Sequence, residues 1–266
     1  MRPNIKKCFT INPMRKTEDF NSYEELIKKG LFNGIEIFYP YQLNKEEFKT
    51  YTDNVERIHK NYSSLEIVMH LPYGKGNDLC GEDYKEVLQR EKDGIKYTSL
   101  FGTKKLTLHL GEVKDKENRE KYIIHIVKVL KELCDYAAIY NMNIMIENMP
   151  GDGELGFSPE EILDIITRTN KDNLKFILDT GHAHVSKYES KKYIQVLGKY
   201  LYHMHFSDND SSSDQHKPIG TGNIDFREIF DDLDKIQYNE LHCLEILFKT
   251  TGDLYNYVND MNIVSK

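Results

Sequence analysis

Short apolar runs alternate with amphipathic segments along the whole chain. Eight of the runs read as strands: KKCFTIN from Lys6, GIEIFY from Gly34, EIVMHLP from Glu66, KLTLHLG from Lys105, NIMIENM from Asn143, LKFILDT from Leu174, LYHMHFS from Leu201 and LHCLEIL from Leu241. Helical periodicity fills the intervals. Its clearest instance puts Ile123, Ile126, Val127, Leu130, Leu133, Cys134 and Ala137 on one stripe. A second helix is expected from Asp83 to Phe101, with Gly102 as its C-cap. SPEEIL at Ser158 combines an N-cap residue, a first-turn proline and a glutamate three residues after the cap. Strand–helix alternation of this kind predicts an α/β fold, a single (β/α)8 TIM barrel of parallel strands with outer helices. A doubly wound open sheet is the alternative. No GxGxxG or GxxxxGK[ST] pattern follows a strand, so nucleotide binding of those types has no support.

Side chains alternate across a strand, which divides each run into two faces. Ile67, Met69 and Leu71 oppose Glu66, Val68 and His70; Leu106, Leu108 and Leu110 oppose Lys105, Thr107 and His109. Likewise Ile144 and Ile146 oppose Met145 and Glu147, Phe176 and Leu178 oppose Ile177 and Asp179, and Leu244 and Ile246 oppose Cys243 and Glu245. One face is aliphatic and suits an outer helical layer. The other turns ionisable near the carboxyl end of its strand, where barrel active sites are built. His70, His109, Glu147, Asp179 and Glu245 therefore converge from five strands. LYHMHFS adds His203 and His205 on one face, with His205 nearer the mouth. The following loop offers Asp214 and His216 in D-x-H spacing, and His182 follows Asp179 by three residues.

Singly, each of these residues has an ordinary reading. A lone strand histidine is usually a hydrogen-bonded core residue, Asp179 can cap a turn, Glu147 can be a buried ion-pair partner, and Asp214 and His216 can be solvated loop residues. His59 and His125 lie in helical patterns and read as surface or boundary residues. Together the picture changes. Several carboxylates in one cavity repel unless a cation balances them, and the strand mouths supply few Lys or Arg. A divalent metal is the economical counterion, and His with carboxylate ligands suits Zn²⁺, Mn²⁺, Co²⁺ or Fe²⁺.

Composition narrows the setting. The 266 residues are 39% apolar and 11% aromatic, enough for one large core, and no linker-like tract divides them, so one domain over 1–266 is expected. The net charge of −7 argues against a broadly basic nucleic-acid face. Cys8, Cys80, Cys134 and Cys243 show no CxxC spacing and read as reduced, mostly buried thiols of a cytoplasmic protein. The amino terminus is too polar for a signal peptide, and no apolar run approaches a membrane-spanning length. The sequon at Asn61 then carries no weight.

In order, NGIEIF, HLPYG, LHLGE, IENMPG, LDTGHAH, HMHFSDND and DQHKPIGTGNIDF resemble the strand-end motifs of the xylose-isomerase-like TIM-barrel superfamily, over nearly the whole chain. That superfamily holds sugar and sugar-phosphate isomerases and epimerases, and the endonuclease IV apurinic-site nucleases. The sugar branch implies one metal, manganese, cobalt or zinc, on Glu147, Asp179, His205 and Glu245. The metal would stabilise the enediolate of a chelated hydroxy-ketone while Glu147 and Glu245 move the proton. The nuclease branch implies three zinc ions: one on His70, His109 and Glu147, a second on Glu147, Asp179, His205 and Glu245, a third on His182, Asp214 and His216. Tyr73 resembles a tyrosine which that branch inserts at the lesion. Two departures favour the sugar branch. KKCFTIN lacks the nuclease's G-x-H-V-S-like first strand, and FYPYQLNKEE is aromatic and acidic where the nuclease has a basic loop. Glu36, in GIEIF, is typical of the sugar branch and is expected to contact substrate. Lys217, Lys75 or Arg15 could hold a substrate phosphate. A small sugar-like substrate is therefore expected, nucleic acid being the partner only of the nuclease reading.

Overall fold

The computed structural model describes residues 5–12 and 20–264; Arg15 lies outside them. Among these residues, all eight expected strands form. They are β1 (Lys7–Ile11), β2 (Gly34–Phe38), β3 (Glu66–His70), β4 (Lys105–Leu108), β5 (Asn143–Glu147), β6 (Leu174–Asp179), β7 (Leu201–Phe206) and β8 (His242–Leu244). Each pairs in parallel with the next, and β8 returns to β1 to close the barrel. The closure decides for the (β/α)8 barrel over the open sheet.

The helices are α1 (Phe20–Lys28), α2 (Lys45–Asn61), α3 (Tyr84–Thr98), α4 (Arg119–Ile139), α5 (Pro159–Thr169), α6 (Thr180–Ser186), α7 (Ser190–Leu197), α8 (Phe226–Lys235) and α9 (Thr251–Val264). The expected stripe of α4 is buried in full; each such Ile or Leu contributes about 1.5–3 kcal/mol by leaving water. Beyond α3 the chain tightens into a 3-10 turn over Ser99–Phe101 and stops at Gly102, whose φ of 64° is the left-handed conformation that favours glycine. Ser158 caps α5 by accepting the Glu161 N–H. The Glu161 carboxylate does not complete a capping box but accepts from Gly156 N and binds Arg119. It thereby ties the β5–α5 loop to α4.

The two strand faces separate as the alternation requires. Ile67, Met69, Leu106, Leu108, Ile144, Ile146, Phe176, Leu178 and Leu244 join the helices in one large core. Cys8, Val68, Met145, Ile177, Leu241 and Cys243 fill the barrel interior. The inner face is ionisable at both ends, however, and not only at the mouth. Lys105, at the amino end of β4, is 2% exposed and pairs with Glu66 and Glu240. The cysteines are all free thiols. No helix among the described residues is long and apolar enough to cross a membrane.

Candidate metal centre at the barrel mouth

Glu147 ends β5 and stands at the centre of the site. Its Oε2 lies 3.0 Å from His109 Nε2 and 3.8 Å from His70 Nε2, while its Oε1 lies 3.0 Å from His205 Nδ1 and 3.6 Å from His182 Nδ1. His205 Nδ1 is also 3.0 Å from Glu245 Oε2 and 3.9 Å from Asp179 Oδ2. At the rim, Asp214 Oδ2 is 2.8 Å from His216 Nε2 and 3.3 Å from His182 Nε2. Four sets of donor atoms result: His70–His109–Glu147, Glu147–Asp179–His205–Glu245 and His182–Asp214–His216 at the mouth, and Glu36–His203–His205–Cys243 buried beneath them. Within each set the donors lie within 4.8 Å of one another.

The stretch after β6 shows how local structure selects ligands. Asp179 Oδ1 accepts the His182 N–H and caps the short helix α6. Its other oxygen stays in the site. His182 falls in the first helical turn and faces the cluster. His184, two residues on, is rotated about 200° around the helix and meets Asn223 instead.

Each cluster histidine with a defined second contact is held by one ring nitrogen so that the other is presented to the cluster. His70 Nδ1 meets the Leu71 carbonyl, His182 Nδ1 the Asn148 carbonyl, and His216 Nδ1 the Glu245 carbonyl, at 2.8, 2.8 and 2.9 Å. His205 is held the other way round, its Nε2 on Glu36 Oε2 at 2.9 Å. Such secondary contacts set the tautomer and orientation of metal-binding imidazoles.

Electrostatics point to the same occupant. Among the described residues, no Lys or Arg pairs with Glu36, Glu147, Asp179, Asp214 or Glu245; only imidazoles do. Burial would raise the Glu147 carboxyl, but His205 and His109 hold it well below the usual range. Burial pushes Asp179 up to about 6, with Glu147, Glu245 and Asp214 acting in the same direction against His182. Burial would depress His205 and His182, yet the surrounding carboxylates hold both well above the ordinary imidazole value. The same balance raises His216 to about 10. Asp179 Oδ2 and Asp214 Oδ1 are buried with no hydrogen-bond partner. These orphaned oxygens, together with nitrogens aimed inward, fit divalent cations with mixed nitrogen and oxygen ligands.

The nine residues expected as ligands are therefore all brought together, whereas the three expected substrate contacts are placed differently from one another. Tyr73 is 40% exposed, with its ring 4.6 Å from that of His70 and 5.3 Å from that of His109. Glu36 is wholly buried: Oε1 accepts from the Thr107 hydroxyl, and Oε2 meets both His203 and His205. A carboxylate with both oxygens engaged beneath a ligand histidine positions that histidine and does not touch substrate. Lys217 is paired with Asp210 at 3.2 Å on the loop surface. His59 is half-buried, as is His125, which meets the Leu79 carbonyl.

Two supporting residues escaped sequence reasoning. Asn148 binds the Asp179 backbone on both sides, through N–H to Oδ1 and Nδ2 to carbonyl, and orients His182. Asp208, fully buried, accepts the N–H groups of Asn209, Gly220, Gly222 and Ile224 and so pins the loop carrying Asp214 and His216. A Cβ on Gly222 would lie 2.3 Å from Asp208 Oδ1, so only glycine fits there. The polar residues next to the ligands in IENM and HFSDND were the available signal.

A closed parallel barrel with His and carboxylate clusters that could hold a metal at its carboxyl-terminal mouth defines a class of TIM barrels. The chain belongs to the xylose isomerase-like TIM barrel family, whose profile matches residues 25–255. It is 30% identical over 190 residues to the uncharacterized protein MJ1311 of Methanocaldococcus jannaschii, covering 68% of this chain and 64% of that protein. A probable endonuclease 4 of Mycoplasmopsis pulmonis is 27% identical over 237 residues, 79% of this chain and 81% of that one. Fructoselysine 3-epimerase of Shigella flexneri is 26% identical over 119 residues, 44% and 43% of the two chains. Among solved structures, a D-tagatose 3-epimerase-like protein superposes with a TM-score of 0.81 at 23% identity over 96% of both chains.

Proposed function

We propose that the protein is a divalent-metal-dependent isomerase or epimerase of a small keto sugar or sugar phosphate. The observation that carries this reading is the placement of Glu147 and Glu245. Their carboxylate oxygens lie 3.0 Å from the same His205 nitrogen, so two bases flank one position. Glu245 is also held below the ordinary carboxyl value, with His205 and His216 outweighing burial, and both groups are anionic at neutral pH. One carboxylate takes the proton from the carbon beside the substrate carbonyl. The same group hands it to the neighbouring carbon for an isomer, or the other carboxylate, having taken up a proton from solvent, delivers one to the opposite face for an epimer. The carbon to which the proton returns decides between isomer and epimer. Glu147, Asp179, His205 and Glu245 would hold the cation, which supplies Lewis acidity to the carbon acid when bound.

Charge supports a small substrate as well. A phosphodiester polymer calls for a basic track, while among the described residues Lys75 is the cation lining the cavity beside the site and Lys217 is paired with Asp210. One observation favours a second reading. The His70–His109–Glu147 and His182–Asp214–His216 clusters are as complete as the central one, as a trinuclear endonuclease IV-type phosphodiesterase requires.

Metal counting by elemental mass spectrometry, with turnover in D₂O, separates the two. About one manganese or cobalt per chain and deuterium on a carbon next to the ketose carbonyl, lost in Glu147→Gln and Glu245→Gln, are expected. Three zinc ions, cleavage of an abasic-site duplex and no deuterium in any ketose would give the site to the nuclease. Full activity and metal content in both Asp179→Asn and His205→Ala would remove the site altogether.

A further inference from the structure

Beside the metal cluster, between the β2–α2 and β3–α3 loops, lies a cavity of about 460 Å³. Phe38, Tyr39, Tyr41 and Tyr73 give it aromatic walls, and Gln42 and Lys75 add an amide and an ammonium group. His70 joins it to the reaction centre. Its ring lines the cavity, and its Nε2 lies 3.8 Å from Glu147 Oε2.

The walls are held by contacts within the chain itself. Asn77, 5% exposed, donates to the Tyr41 hydroxyl at 2.7 Å and to the Tyr73 carbonyl at 2.9 Å. Arg90 donates to Asn77 Oδ1 and to the Gly76 carbonyl, and its guanidinium sits 5.1 Å over the Tyr41 ring. Phe38 stacks on His70 with ring centroids 4.7 Å apart and planes 10° from parallel. The two loops are thus clamped into one wall, which lowers the ordering cost of binding.

We propose that this cavity is a subsite for a second ring borne by the substrate, so that the enzyme acts on a conjugated keto sugar rather than a free one. The inference rests on the keto-sugar reading of the neighbouring carboxylates. The reacting carbons must lie against Glu147 and Glu245, which leaves the cavity for a substituent. Its volume falls within the range of complete small-ligand pockets. Aromatic walls pack against the flat C–H face of a glycosyl ring or against an aryl ring. Gln42 and Lys75 supply hydrogen bonds to hydroxyl groups at the rim.

The test measures binding of the metal-loaded protein by calorimetry. One set of probes is D-fructose against four fructose disaccharides, turanose, lactulose, leucrose and isomaltulose, which differ in where the second ring is attached. The other is phenyl β-D-glucoside against D-glucose, and this pair carries no ketone group in its ring form. At least one two-ring probe is expected to bind about tenfold or more tighter than its one-ring counterpart. Tyr41→Ala, which removes a wall, and Gln42→Trp, which fills the cavity, should each erase that preference and leave D-fructose binding unchanged. A preference retained in both variants, or no preference in the wild type, overturns the subsite. If D-fructose is turned over while no second ring improves binding, the subsite fails and the keto-sugar reading stands. If phenyl glucoside binds and is lost in Gln42→Trp while no ketose binds or reacts, the subsite stands and the keto-sugar reading fails. The disaccharide and phenyl series separate a glycosyl from an aryl occupant.

Discussion

The two ends of the barrel interior both bury charge, and they handle it in opposite ways. At the floor, the Lys105 ammonium is 2.7 Å from Glu66 and 2.8 Å from Glu240 and lies 4.8 Å over the Tyr202 ring. Burial would lower this lysine, but the two carboxylates outweigh it and raise it. Both carboxylates keep more than a third of their side-chain surface in water. The floor is therefore a finished ionic plug. At the mouth, Glu147 and Asp179 are at most 1% exposed, their partners are imidazoles, and buried carboxylate oxygens remain orphaned. Burying charge is costly unless it is paired. The floor carries its own cation in the sequence, while the mouth leaves its carboxylates to imidazoles alone among the described residues.

The largest expected effect breaks the mouth. Glu147→Gln removes the donor shared by two clusters and a proposed base, and should lower turnover by about 10²–10⁴-fold; steady-state kinetics with metal analysis check it. Lys105→Met at the floor should leave metal content unchanged and destabilise the fold by about 2–4 kcal/mol, from two carboxylates left without a cation but still partly hydrated. Urea denaturation reads it out. Glu36→Gln keeps the shape beneath His205 but weakens its orientation, and metal affinity should fall about 10–100-fold, measured by competition with a chelating dye.

A pH series sharpens the contrast. His216 is raised from 6.5 to about 10 in the metal-free protein. Its protonated form therefore contributes stability that is present below pH 6.5 and lost as pH rises through 10. Metal takes neutral imidazole, so loading should release protons and strengthen as pH rises. Calorimetry in buffers of different ionisation enthalpy counts those protons; the absence of proton release would contradict the charge balance described for the mouth. The smallest effect concerns another buried carboxylate, away from the mouth. Glu91 of α3 is wholly buried, neither oxygen has a hydrogen-bond partner, and burial raises it well above its ordinary value. Glu91→Gln should stabilise the protein by about 1 kcal/mol at neutral pH, a gain that disappears in acid, where the glutamate is protonated. Thermal melts at the two pH values test it.

How much of this was legible in the sequence follows from the range of each interaction. The strand alternation is local, so the eight runs, their two faces and the ionisable residues at their carboxyl ends could be read directly. Parallel strands in a closed barrel bring those ends together whatever the loops do. Depth along the barrel is not local. Glu36 is expected to contact substrate from the resemblance of GIEIF to the sugar branch, yet the register Thr10↔Glu36 and the Thr107 and His203 contacts seat it a layer lower. The Lys105–Glu240 pair spans 135 positions and leaves no local trace.

By itself, then, the sequence determined the barrel, the nine ionisable residues that gather at its mouth and the sign of the charge they create, because periodicity and composition act over a few residues. Tertiary structure alone decided which candidate donors lie within reach of one another. It also turned His182 inward and His184 outward through the turn of α6, and it clamped two loops through Asn77 into a pocket. Those outcomes depend on atoms a few ångströms apart in space and far apart along the chain, and burial makes such distances decisive.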